Sequence, residues 1–427
     1  MDFRDIYRRK VVDVEHVLSI LQDNWTVVVG MTPMEPKVFQ RNLHKANVQR
    51  LEVFTCLNTE PYEYYSNPAY SDRFFNYSWF FGPFNRKQSK NTFYVPNNLH
   101  QAATNLIETT KINVFVGVAS PMDEKGFLTL GASVVYEKDV LEHADIVVLE
   151  VNPNVPRTHG DTQVHITEVD YIVEVDYPLP EVELLKPKEI EKKIAENIMN
   201  LIEDGSTIQL GIGGIPNAVA QFLKEKRDLG IHTEMLTESM IDLFEAGAIT
   251  NMRKTLWKGK FVCTFAYGTR RMYDFVNDNP AVLFLRGRYV NDPYIIAQNE
   301  KMVSINTALI VDLTGNVCSE AIGTSHYSGT GGQLDTHRGA VKSKGGKGII
   351  ALRSTAKEGT ISTIVPTLPA GSPITVPRQD IDYVVTEWGV AHLRGLPVRK
   401  RALALIEIAH PDFREYLRNE AKELGII

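Results

Sequence analysis

Apolar β-like runs alternate with helical patterns along this chain, and that alternation admits few folds. The runs fall at 112–119, 145–151, 207–211, 260–265, 303–311, 348–352 and 382–386. Strands separated by helices are joined by crossovers, so the expected class is α/β, with mostly parallel sheets covered by helices on both faces. In open sheets of this kind, ligands bind at the carboxyl ends of the strands. A length of 427 residues exceeds what one hydrophobic core usually serves, and 43% hydrophobic content fills two, so two domains are expected.

The chain also repeats itself weakly. Asp23-Asn-Trp-Thr-Val-Val-Val-Gly30 reads like Asp204-Gly-Ser-Thr-Ile-Gln-Leu-Gly211, Asp123-Glu-Lys-Gly126 like Asp312-Leu-Thr-Gly315, and Ala144-Asp-Ile-Val-Val-Leu-Glu150 like Ile381-Asp-Tyr-Val-Val-Thr-Glu387. The three pairs recur in the same order, which favours two similarly built halves. Between them, the segment 174–187 carries three prolines that interrupt helical and strand patterns alike. The helical spacing of Ile190, Ile194 and Ile198 then restarts the pattern. The expected domains are therefore 1–186 and 187–427, two open α/β domains with the active site between them.

Composition removes several functions. No apolar run approaches the ~20 residues of a membrane span. The first ten residues, rich in Asp, Arg and Lys, are too charged for a secretory signal. Cys56, Cys263 and Cys318 stand far apart, which fits core positions in a reducing compartment and gives neither a disulfide framework nor metal spacing. A cytoplasmic protein is expected. A net charge of −6 with interspersed signs argues against nucleic acid as partner and leaves room for a local basic pocket.

Two glycine clusters stand out. Gly211-Ile-Gly213-Gly214-Ile-Pro216 follows a strand and opens a helix, but carries Pro216 where a dinucleotide fingerprint has glycine. It is either a tight strand-to-helix turn or a place where backbone N–H groups meet a ligand at a helix N-terminus. Gly329, Gly331, Gly332 and Gln333 fall within five residues that have no linker pattern around them, as in a loop that approaches a ligand closely. Lys342 to Gly348 lacks the phosphate-loop pattern and reads as a solvated hairpin. Glu234 lies between a β-like run and an amphipathic helix, where an α/β enzyme exposes a catalytic group. Taken alone it is an ordinary glutamate, Glu238 suits a helix N-terminus, and His232 suits a structural role. No metal spacing and no Gly-x-Ser-x-Gly occur.

These motifs together resemble the acetyl-CoA hydrolase/transferase family of class I CoA-transferases, and in particular its 4-hydroxybutyrate and butyryl-CoA:acetate branches. The resemblance runs through 120–127, 150–156, Gly211–Pro216, His232-Thr-Glu-Met235, 268–275, 311–315, Gly329–Gln333 and the C-terminal run Asp382–Ala391, Leu393-Arg-Gly395 and 408–413. It departs at Trp388, which bears on local pocket shape. The resemblance implies that Glu234 is a carboxylate nucleophile and that Gly211, Gly213 and Gly214 lie near the thioester. It further implies that Gly329, Gly331, Gly332 and Gln333 line the CoA or oxyanion side, and that Gly389, Val390 and Ala391 flank the CoA pocket. Backbone donors of that kind are typically worth ~3–4 kcal/mol each to a developing oxyanion. Arg394 or the lysines at 342–347 would meet CoA phosphates on charge grounds.

The implied reaction moves CoA from a short-chain acyl-CoA to a carboxylate such as acetate, butyrate or 4-hydroxybutyrate, with a glutamyl-CoA thioester between the two halves. Coenzyme A enters as substrate, with no tightly bound cofactor and no metal, and a homo-oligomer, dimer or tetramer, is expected. An acyl-CoA hydrolase working through the same glutamate is the alternative within that chemistry. A non-catalytic CoA sensor is the alternative outside it.

Overall fold

In the computed structural model, residues 2–86, 90–184 and 186–427 are described; Met1 and Leu185, in the N-terminal and boundary stretches, lie outside them. The chain divides into two compact units, Met1–Val182 with Val262–Val290, and Glu183–Phe261 with Asn291–Ile427. The first break falls inside the proline-bearing segment. The stretch Val262–Val290 joins the first unit, which a division drawn along the chain does not capture. There Val282–Phe284 pairs in parallel with His159–Gly160, and Arg286 binds Asp139 and Glu142.

In the first unit, seven strands form one parallel sheet: β1 (Trp25–Val29), β2 (Leu51–Thr55), β3 (Phe74–Ser78), β4 (Thr92–Tyr94), β5 (Val114–Ala119), β6 (Ile146–Val151) and β7 (Tyr171–Glu174). Their order is β7-β6-β5-β1-β2-β3-β4. β5 is buried at every position, as expected of a strand covered on both faces, and this is why it reads as a continuous apolar run.

In the second unit, six strands form the main sheet: β8 (Thr207–Leu210), β9 (Gly230–Ile231), β10 (Met302–Thr307), β11 (Lys347–Ala351), β12 (Tyr383–Thr386) and β13 (Gly389–His392). The order is β9-β8-β10-β11-β12-β13, all parallel except the closing β12–β13 hairpin. Four helices matter below: α1 (Glu189–Met199), α2 (Gly214–Phe222), α3 (Glu238–Glu245) and α4 (Gln333–Lys342). The run expected at 303–311 is two strands, because the chain leaves the sheet after Thr307 and Ile310–Asp312 pairs with Val317–Cys318 and Ile364–Val365 instead. The expected hairpin at 342–348 is the connection from α4 to β11, turned by Gly345 at φ +71°.

The two sheets share a plan. β1 and β8 each have a parallel neighbour on both sides, and β5, β6 and β7 extend one sheet as β10, β11 and β12 extend the other. By position the counterpart of β12 is therefore β7, and not β6 as the pairing of 144–150 with 381–387 implies. The matching sequence is Val169-Asp-Tyr-Ile-Val173 against Ile381-Asp-Tyr-Val-Val385. The aspartates also do the same work: Asp170 accepts the N–H of Val147 at the start of β6 (2.8 Å), and Asp382 accepts that of Gly348 at the start of β11 (3.1 Å).

Candidate active site

Glu234 lies three residues beyond β9, at the carboxyl end of a parallel strand, before a short run to α3. The residue is half-buried. Its Oε2 accepts the side-chain amide of Asn291 at 2.9 Å, and the backbone N–H of Gly332 donates to the same carboxylate. Gly332 is the residue before α4, so its N–H belongs to the positive end of a ten-residue helix. A Cβ at position 332 would stand 1.9 Å from Glu234 Oε2 and 2.1 Å from Asn291 Nδ2. Only glycine lets the backbone come that close.

Burial pushes the Glu234 carboxyl up to about 7; the charge of Asp335, in the first turn of α4, adds to the rise, and the Asn291 and Gly332 donors oppose it. Near neutral pH the group is shared between acid and carboxylate. A carboxylate so placed, partly exposed and beside fixed N–H donors, is equipped to attack an electrophilic carbonyl.

The second glycine loop thus meets Glu234 directly. Gly331 takes φ +53°, Gly329 is buried, and the Gln333 side chain is turned back to the Thr307 carbonyl at 3.1 Å, so it fastens the loop to β10. The first cluster sits one strand away, at the end of β8. Gly211 donates to the Ile305 carbonyl at 2.8 Å. Gly213 has φ +117° and open space around it, while a Cβ on Gly214 would run into the Glu191 carboxylate at 2.2 Å. Gly213 is therefore the member free to meet a ligand, and Gly214 serves the packing of α1 against α2.

The hairpin residues lie elsewhere. Gly389, Val390 and Ala391 are on the opposite edge of the sheet, five strand spacings or on the order of 24 Å from β9. Gly389 has φ +145°, Val390 is exposed, and Ala391 is buried in the core with Val384 and Leu405. Ala391 therefore packs the core of the unit. The lysines are also distant: Lys342 ends α4, about 15 Å of helix from its start beside Glu234. Lys344 pairs with Glu300, Lys347 with Glu203, and Arg394 with the Val341 carbonyl. These groups stand at the amino ends of the strands, away from Glu234.

Glu238 is buried in the first turn of α3, the place of a helix-capping acid. His232 is buried beside the β8 and β9 strands. Among the described residues no set of three or more His, Cys, Asp or Glu is grouped to hold a metal ion, and no helix is long and apolar enough to cross a membrane. Sequence reasoning missed Asn291, which lies 57 positions from Glu234 and looks like a residue before a helix-starting Asp-Pro.

Known proteins resemble this chain over nearly its whole length. Residues 1–183 match the N-terminal domain, and 268–421 the C-terminal domain, of acetyl-CoA hydrolase/transferase. The chain is 44% identical to a 4-hydroxybutyrate coenzyme A transferase of Clostridium kluyveri, over 99% of this chain and 100% of that one. It is 43% identical to a succinyl-CoA:cyclohexane-1-carboxylate CoA transferase of Geobacter metallireducens, over 99% and 97%. The solved 4-hydroxybutyrate CoA-transferase of Porphyromonas gingivalis superposes with a TM-score of 0.85 at 36% identity, over 99% of this chain and 100% of that one.

Proposed function

The chain belongs to the acetyl-CoA hydrolase/transferase family, and from that premise we propose that Glu234 is the nucleophile with which it transfers CoA from an acyl-CoA to a carboxylate. It is a CoA-transferase, as are its full-length relatives. The observation that carries the role of Glu234 is its carboxylate, raised in pKa by burial and held by the Asn291 amide and the Gly332 N–H at the start of α4.

That geometry supports the sequence of steps the family implies. Glu234 attacks the thioester carbonyl, and collapse of the tetrahedral adduct expels CoA thiolate and leaves an acyl–glutamyl anhydride. The thiolate attacks the glutamyl carbonyl, which releases the first acid and forms glutamyl-CoA. A second carboxylate attacks that thioester, and the freed thiolate takes the new acyl group, regenerating the Glu234 carboxylate. One thioester replaces another, so no nucleotide hydrolysis is needed. Each tetrahedral stage places negative charge on an oxygen, which N–H donors from the loops at Gly213 and Gly329–Gly332 are suited to stabilise. A carboxylate is a weak nucleophile, so binding energy from the remote parts of CoA drives it against the carbonyl.

The donor is a short-chain acyl-CoA and the acceptor a carboxylate of the acetate, butyrate or 4-hydroxybutyrate kind, in a cytoplasmic homo-oligomer, dimer or tetramer. Three buried cysteines in no disulfide support the reducing compartment. The test is to incubate the protein with butyryl-CoA or acetyl-CoA and no acceptor, reduce with borohydride, and map the modified peptide. Modification at Glu234, with loss of exchange but retained acyl-CoA binding in Glu234→Gln, is the expected result. Modification at Glu238 moves the nucleophile. Tight CoA binding without any modification turns the protein into a sensor, and steady release of free CoA without an acceptor turns it into a hydrolase.

A further inference from the structure

Glu320 is a buried carboxylate with no part in the steps above. It follows the strand Val317–Cys318 and precedes a short hairpin, Ala321–Ile322 with Ser325–His326. Its backbone carbonyl accepts the N–H groups of Tyr327 (2.7 Å) and Ser328 (3.3 Å), at the entrance to the glycine loop. Its side chain accepts the hydroxyl of Thr330 at 3.0 Å, in the middle of that loop, and the hydroxyl of Thr375 at 2.7 Å. Thr375 is itself held in the core: its N–H reaches the Val317 carbonyl at 2.8 Å and its hydroxyl accepts the Ser319 N–H at 3.0 Å.

One residue therefore ties the loop to buried framework at two points. Only Gly331 and Gly332 separate Thr330 from α4, and the helix side is fixed independently by Gln333 on Thr307 and by Thr336, whose N–H reaches the Gly332 carbonyl at 2.9 Å. Two adjacent glycines have more backbone freedom than any other pair, so without anchors on both sides the Gly332 N–H would sample many positions. We infer that Glu320 is a positioning residue that acts through the Thr330 hydroxyl to set the Gly332 N–H against Glu234. Burying a carboxylate is unfavourable unless its oxygens are bonded, and here the bonds run to the loop and to the core that the loop must be referred to.

This inference rests on the role proposed for Glu234. Misplacing a catalytic group by about 1 Å costs on the order of 10²-fold in rate, and the loss should appear in kcat. The variants are Thr330→Val, which removes the hydroxyl at nearly constant volume, Thr330→Ser, which keeps it, and Glu320→Gln. They are assayed for CoA exchange between butyryl-CoA and acetate across pH, with thermal unfolding in parallel.

Thr330→Val is expected to lose about tenfold to a hundredfold in kcat with KM for butyryl-CoA little changed. Its acid limb moves to higher pH, because Glu234 loses a donor. Thr330→Ser recovers most of the turnover. Glu320→Gln falls in the same direction and carries the test if Thr330→Val does not fold. Unchanged kcat and acid limb in both Thr330→Val and Glu320→Gln overturn the inference, and so does a Thr330→Ser as impaired as Thr330→Val, which assigns the effect to the methyl group. Glu234→Gln is the control. If it stays active, the nucleophile itself is wrong; if it is inactive while Thr330→Val is normal, only the role of Glu320 fails.

Discussion

Burial and hydrogen bonding pull the Glu234 carboxyl in opposite directions, and the balance lies near neutrality. With Glu234 in its proposed role the reactive form is the carboxylate, so kcat/KM for the acyl-CoA should rise with pH through an apparent pKa near 7. Asn291 donates to the charged form and so holds the pKa down. Replacing it with Ala should move the rising limb to higher pH and lower kcat/KM at pH 7 by roughly tenfold or more. A limb that stays in place, or moves down, would mean that Asn291 does not act on the ionisation of Glu234. The Gly329–Gln333 loop stood out in the sequence as glycines with no linker pattern around them, whereas Glu234 read alone as an ordinary glutamate and was singled out by the resemblance of His232-Thr-Glu-Met235 to the family. Asn291 was not legible: its partner is distant along the chain, and a buried amide has no local signature.

Among elements, the paired aspartates before β7 and β12 are the clearest trace of a common plan. Each closes the start of a neighbouring strand, yet the surroundings differ, since Asp382 is buried and also pairs with His392, while Asp170 is exposed. Removing a buried acceptor strands the donors it served. Asp382→Ala should therefore destabilise the protein by about 2 kcal/mol and Asp170→Ala by no more than about 1 kcal/mol in urea unfolding; equal losses would show that burial does not set the cost. The strands themselves were legible because buried parallel strands are continuous apolar runs, as in Val114–Ala119. The repeat was legible only in part. A stretch such as Ile-Val-Val-Leu fits any buried strand, so 144–150 aligned with β12 as readily as 169–173 did, and what separates the two is that Asp170 and Asp382 each accept an N–H at the start of the neighbouring strand. Ala391 shows the converse, a motif residue whose side chain belongs to the core.

For the whole molecule, the ionisation of Glu234 is also a stability term. Its pKa in the fold, about 7, lies above the ordinary value of 4.5, so the fold favours the protonated form. That contribution is complete below about 4.5 and is lost as pH rises through 7. Glu234→Gln, which keeps the neutral form at every pH, should raise the midpoint of thermal unfolding at pH 8 by a few degrees relative to the parent protein and leave it nearly unchanged at pH 5. An equal shift at both pH values would trace the effect to packing. The two-sheet plan could be anticipated from length and alternation, but the return of Val262–Val290 to the first unit could not, because the pairing of Val282–Phe284 with His159–Gly160 joins residues more than 120 positions apart. That return has a consequence during synthesis. The first unit waits for its last strand and helices until residues 183–290 have left the ribosome, a delay of roughly 5–22 s at typical elongation rates. Throughout that interval the nascent chain carries an incomplete first unit while the second begins to emerge, so the window in which chaperones would have to shield it is written into the chain order.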